Sequence, residues 1–169
     1  MEELEFLRRV RNHKDQAALS TELGSADANK KVREKAVTIA RKWFSLGQQH
    51  LSEGDAAVRA NAERAGYSRA YYAAYSASKA IRYLKVGNVS LKGDDHQEVG
   101  NLPEDFPDLD QWSKTLTELY ESRLRADYDN WDSTAVAFKY SALDCVEHAR
   151  NFLVEAERYF MALCAELSS

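Results

Sequence analysis

The chain has 169 residues, 30% of them charged and 44% hydrophobic, with a formal net charge of -4. That length supports one domain with a core that needs no disulfide or metal staple, and a negative total excludes binding to nucleic acid by bulk positive charge alone. No apolar run approaches the roughly 20 residues needed to span a bilayer.

The charge is unevenly spread. Lys and Arg outnumber Asp and Glu by 16 to 10 over residues 1–91, but are outnumbered 4 to 12 over 92–132 and 3 to 5 over 133–169. Such asymmetry serves contacts between acidic and basic faces within the fold or across a dimer, or seats a nucleic-acid backbone on the basic helices. Cys145 and Cys164 fall in one apolar-periodic stretch and are separated by roughly 28 Å on a continuous helix, so they do not pair within it. Free thiols and a Met1-Glu-Glu-Leu start without a signal-peptide pattern predict a cytoplasmic protein.

Only two prolines occur, Pro103 and Pro107, and both lie in the one region without periodicity, so long helices are expected elsewhere. A first helix is predicted over Glu2 to Leu19. A second runs from about Asp27 to Leu51, with Val32, Ala36, Ile39, Trp43, Leu46 and His50 on one face, ended by Gly54, with Asp55 capping the next. The third, about Ala56 to Val86, repeats Tyr67, Ala70, Ala74, Ala77, Ile81 and Leu84 at steps of three and four. Its alanines permit close approach of a neighbour, and Tyr71, Tyr72 and Tyr75 add bulk and hydroxyls beside that stripe.

Residues 87–108 form a long connection with one short helix starting at Asp95 or His96, and loops of that length inside a domain are often functional. The fourth helix, Leu109 to about Tyr128, carries the apolar stripe Leu109, Trp112, Leu116, Leu119 onto Arg123. A guanidinium in a core register keeps its charge and must find acceptors, so it marks either a buried ion pair, with Asp127 one turn on, or a site. Asp129-Asn-Trp-Asp-Ser is read as the break, with Tyr128 packing on Trp131 as one option. Asp132 or Ser133 then caps a last helix to about Leu167, packing through Val136, Tyr140, Leu143, Val146, Ala149, Leu153, Ala156, Phe160, Leu163 and Leu167. The fold class is all-α: an up-and-down antiparallel bundle of four to five helices, the fourth beside the third.

Three blocks come in sequence: Ser68-Arg-Ala-Tyr-Tyr-Ala-Ala-Tyr-Ser-Ala-Ser-Lys-Ala80, then His96-Gln-Glu-Val99, then Leu119-Tyr-Glu-Ser-Arg-Leu-Arg-Ala-Asp-Tyr128. Together they resemble the HEPN family, more closely its branch with an R-x-x-A-D-Y-like motif, over roughly residues 65–160 of a single domain covering 1–169, with residues 1–54 supplying N-terminal helices. The resemblance implies a helical bundle that dimerises through the helices bearing the arginine motif. It also implies RNA or nucleotide binding, in many members as metal-independent ribonuclease toxins or defence effectors, and in others as partners of a nucleotidyltransferase-type antitoxin. The family's catalytic signature is Arg, four to six residues, then His; here Tyr128 stands in that place. An imidazole moves the proton of an RNA 2′-hydroxyl near neutral pH, whereas tyrosine, with an unperturbed pKa of about 10, is a poor base.

The candidate catalytic set is therefore Arg123, His96, Asp127 and Tyr128, with His96 replacing the missing base. Tyr71, Tyr72 and Tyr75 are candidates to stack on RNA bases or a nucleotide, against the plain alternative of bundle core. His50 and His148 read as packing or surface residues, His13 lies in a basic helix, and Arg125 reads as a solvated charge. Asp94-Asp95-His96 is too local to enclose an ion, so no metal and no cofactor are expected. No glycine-rich phosphate loop, zinc spacing, Ser-His-Asp order or helix-turn-helix signature occurs. Two functions stay open: a HEPN-type homodimer that binds or cleaves RNA or binds a nucleotide, and a non-catalytic helical interaction module with Arg123 and Asp127 as a structural pair.

Overall fold

A computed structural model describes residues 2–11, 13–85, 87, 90, 95–128 and 138–168. Among them are the helices α1 (Glu3–Arg9), α2 (His13–Leu23), α3 (Ala26–Arg59), α4 (Glu63–Lys85), α5 (Leu109–Tyr128) and α6 (Ala142–Ser168), a 3-10 turn at His96–Glu98, and no strand. No described helix is long and apolar enough to cross a membrane.

Helix α4 is the axis of the molecule, packing against α3, α5 and α6. Fifteen of its 23 residues are buried, so it is covered nearly all round, as expected of a helix whose small residues admit neighbours on every side. The closest approach is to α3 at Gly47, where an added Cβ would lie 2.8 Å from the Ala73 carbonyl oxygen. Two backbones therefore touch, which only glycine permits.

Chain directions follow from the residues in contact. Gly47 lies on Ala73 and Gly54 on Ala70, so α3 and α4 are antiparallel. Tyr71 meets Tyr120 and Trp112 meets Phe152, while Phe44 stacks on Phe160 at 4.9 Å and Asp55 pairs with Arg150. These contacts make α5 antiparallel to α4, and α6 antiparallel to α3. The four long helices run up, down, up, down, with α4 and α6 parallel.

Several predicted boundaries move. The first predicted helix is two, α1 and α2, because Val10 leaves helical geometry with its side chain buried and its carbonyl accepting from the Tyr83 hydroxyl at 3.2 Å. The second does not stop at Gly54. It continues to Arg59, and the chain turns at Asn61 in the left-handed region (φ 56°), a conformation Asn tolerates. Gly54 serves packing instead, 3.2 Å from Val146 at its missing Cβ, and Asp55 pairs with Arg150 of α6 rather than capping a helix.

The last helix begins at Ala142, not at Asp132 or Ser133. Asp144 accepts from the Ser141 backbone at 3.0 Å and its own N–H donates to the Ser141 hydroxyl at 3.1 Å, a reciprocal cap that satisfies the orphan donors of the first turn. Tyr140 therefore precedes the helix, its carbonyl accepting from Tyr67 at 2.9 Å. Trp131, Asp132, Ser133 and Val136 lie outside the described residues.

Candidate functional site

Helix α5 does not carry its core stripe onto Arg123. Leu116, Leu119, Ser122 and Ala126 are the buried positions, because the 3.6-residue period drifts by one step over the length of the helix. Arg123 falls at the edge of that stripe, its side chain 13% exposed. It is held there by three neighbours. Nη2 donates to the Tyr72 hydroxyl at 3.1 Å, Nε lies 2.7 Å from Asp127 Oδ2, and the guanidinium carbon sits 5.6 Å from the Tyr72 ring centre and 5.4 Å from that of Tyr128. The Nε–H is not aligned on the Asp127 oxygen and makes no hydrogen bond, so the contact with Asp127 is an ion pair. Burial alone would weaken the guanidinium's hold on its proton, but Tyr72 and Asp127 outweigh it and keep Arg123 charged.

His96 reaches the same place from the 3-10 turn. Its Nδ1 is 2.7 Å from the Tyr71 hydroxyl, which also lies 3.4 Å from the His96 carbonyl. The imidazole stacks on the Tyr75 ring at 4.5 Å with 27° between planes, and meets the edge of Tyr72 at 6.0 Å. Burial holds its pKa below the ordinary imidazole value; Asp95 opposes this, while Arg123, Lys79 and Arg82 add to it. His96 is thus a neutral imidazole within the field of Arg123.

The turn is anchored from below. Ser78 donates to the Val99 carbonyl at 2.7 Å, and Arg82 donates to Glu98 at 3.2 Å. Asp95, immediately before His96, accepts from the Tyr75 hydroxyl at 2.5 Å.

Of the three tyrosines read as stacking residues, Tyr71 is fully buried and Tyr75 nearly so, and neither presents a free face to a base. Alanine neighbours draw both rings inside, where burial raises their pKa values far above the normal tyrosine range and keeps them neutral. They act as the seat of His96. Tyr72 stays partly exposed, touching Arg123, His96 and the His50 ring, the last at 5.7 Å. Tyr128 is 72% exposed beside Arg123.

Reading the sequence missed His50, Arg69 and the charged group under His96. His50 Nδ1 lies 3.1 Å from both Glu53 Oε2 and Arg69 Nη1, at the border of the Tyr72 face. Lys79 and Arg82 follow Tyr75 at helical spacing, so a stripe of Tyr75, Lys79 and Arg82 among the buried alanines of α4 is the available signal. Asp94 lies outside the described residues, and no group of three or more His, Cys, Asp or Glu suited to a metal occurs among those described.

No curated protein matches this chain, and no solved structure does either. A family model of the HEPN domain matches residues 40–159, a span that begins inside α3, takes in α4, the 3-10 turn and α5, and ends in α6. Those are the elements that build the cluster of Arg123 and His96, and the chain belongs to the HEPN-domain family.

Proposed function

We propose that the protein binds an RNA or nucleotide phosphate at Arg123, and that His96, Asp127, Tyr128 and Tyr72 complete the site. The observation that carries this reading is the seating of Arg123: its charge is fixed by Asp127 and Tyr72 at the edge of the bundle, next to a neutral imidazole. Preorganised positive charge at the place where a phosphate gathers negative charge is the main requirement of phosphoryl chemistry. Membership in the HEPN family supports the same ligand class.

As a metal-independent ribonuclease the site works with these groups alone. With the Tyr71 hydroxyl proton directed to the His96 carbonyl, Nδ1–H donates to Tyr71 and Nε2 keeps its lone pair. Nε2 then takes the proton of the 2′-hydroxyl as that oxygen attacks phosphorus; the bond from phosphorus to the 5′ oxygen breaks, the leaving oxygen takes a proton from water, and the hydroxide so formed recovers the proton held by His96. Arg123 holds the charge on the phosphate, and the exposed Tyr128 hydroxyl donates a hydrogen bond. In this reading a homodimer sets two arginine motifs face to face, and a nucleotidyltransferase-type antitoxin is the partner that silences a cytoplasmic toxin.

The second reading, a non-catalytic interaction module, is favoured by one observation: Arg123 already has Asp127 and Tyr72 as partners. Arg123→Ala separates the two. Loss of binding to a single-stranded oligoribonucleotide and to nucleotides in a protein that still melts cooperatively supports the site. Unchanged binding by both Arg123→Ala and His96→Ala reduces the pair to structure.

A further inference from the structure

Beneath His96 lies a buried charged group that the phosphate site does not use directly. Asp95 is 3% exposed and Arg82 equally covered. Asp95 Oδ1 accepts from Tyr75, while Oδ2 faces Lys79 Nζ at 3.5 Å and Arg82 Nη2 at 3.7 Å without an aligned hydrogen bond to either. Packing alone does not require such an arrangement. A buried ion pair is commonly no more stable than apolar side chains of the same volume, and α4 otherwise has only Gly, Ala, Ser, Tyr, Ile and Leu, and no second charge, at its covered positions. The charges converge on one object, the stack of Tyr75 upon His96.

We infer that Asp95 is a positioning residue for His96: its carboxylate, held between Lys79 and Arg82, fixes the Tyr75 hydroxyl and with it the ring on which the imidazole stacks. The inference rests on the reading that His96 serves the site. Every element around the imidazole contributes a group to this balance. Tyr71, Tyr72, Tyr75, Lys79 and Arg82 come from α4, Arg123 from α5, and Asp95 from the turn itself. Three of these are cations and one is an anion, so the Asp95 carboxylate is the counterweight that lets His96 still accept a proton.

The test uses the full chain and follows the His96 imidazole by NMR titration, together with affinity for a single-stranded oligoribonucleotide. Asp95→Asn keeps an acceptor for Tyr75 and removes the charge, so the His96 midpoint should fall. Glu98→Gln is the control: it also pairs with Arg82 but is 45% exposed, and should leave the midpoint where it is. Tyr75→Phe keeps the ring and removes the hydroxyl, and should weaken oligoribonucleotide binding about tenfold. Should Asp95→Asn fail to fold, Tyr75→Phe decides. An unmoved midpoint in folded Asp95→Asn, an equal shift in Glu98→Gln, or wild-type affinity in Tyr75→Phe would overturn the inference. If His96→Ala itself binds the oligoribonucleotide as wild type does, His96 lies outside the phosphate site, and the titration alone judges the positioning role.

Discussion

At Arg123 the stability cost and the functional cost of truncation separate. Its partner Asp127 keeps 27% of its side chain exposed, so the pair is solvent-screened, and Arg123→Ala should cost about 1 to 2 kcal/mol from the pair and the lost packing of the stem on Tyr72. Binding of an oligoribonucleotide should nevertheless drop at least about tenfold, since the proposed site then lacks its charge-assisted phosphate contact. Thermal melts and filter binding on the same preparation measure both. A collapse of the melting transition would show that Arg123 is scaffold. Acid stability offers a second residue-level test. The folded-state pKa of His96 lies below the unfolded chain's value of about 6.5, so the unfolded chain binds the proton first and stability declines as pH falls below that value toward the folded one. Asp95 is also lowered: burial pushes it up, but the Tyr75 hydroxyl and the Lys79 and Arg82 charges outweigh burial. Its contribution is present above its unfolded value and is lost at lower pH still. The urea midpoint of the wild type should therefore fall between pH 7.5 and 5.5, and that of His96→Gln should fall less. Parallel curves would contradict the neutral, half-buried imidazole.

Among the elements, the α3–α4 hairpin is sensitive to a single methyl group. Gly47→Ala gains about 1 kcal/mol of helix propensity yet places a Cβ 2.8 Å from the Ala73 oxygen, and forcing two backbones apart costs roughly 1 to 3 kcal/mol. A net loss is expected in urea denaturation, and a stabilised variant would mean that the helices separate without penalty. Ser141→Ala should cost about 1 kcal/mol by removing the cap of α6. These two glycine and cap positions also show why element boundaries were hard to read. Gly54 looks like a terminator in one dimension, but its missing Cβ is used against Val146 of a helix about ninety residues away, and nothing local announces that partner. Ser141 and Asp144 also form a capping pattern in the sequence, but nothing local ranks it above the earlier Asp132 and Ser133.

On the scale of the molecule, the proposed dimer would gain by covering the exposed Tyr128 beside Arg123, an aromatic 72% open to solvent at a charged site. Light scattering should find a dimer at high micromolar concentration, weakened by Tyr128→Asp; a strict monomer would remove the composite site. The all-helical class, the four long helices and the placing of α5 beside α4 were legible in the sequence because apolar periodicity and the scarcity of proline are local properties, each readable within a few turns. The family blocks likewise bring Arg123 and His96 forward as candidates from the sequence alone. What tertiary structure alone decided is which side of each residue faces inward: that Tyr71 and Tyr75 are closed off while Tyr72 is not, that Arg123 stands at the edge of the α5 stripe, and that Lys79, Arg82 and Asp95 meet under His96. Those outcomes depend on helix rotation and on distances between segments far apart in the chain, set by the packing of α4 among three neighbours, and no local periodicity encodes them.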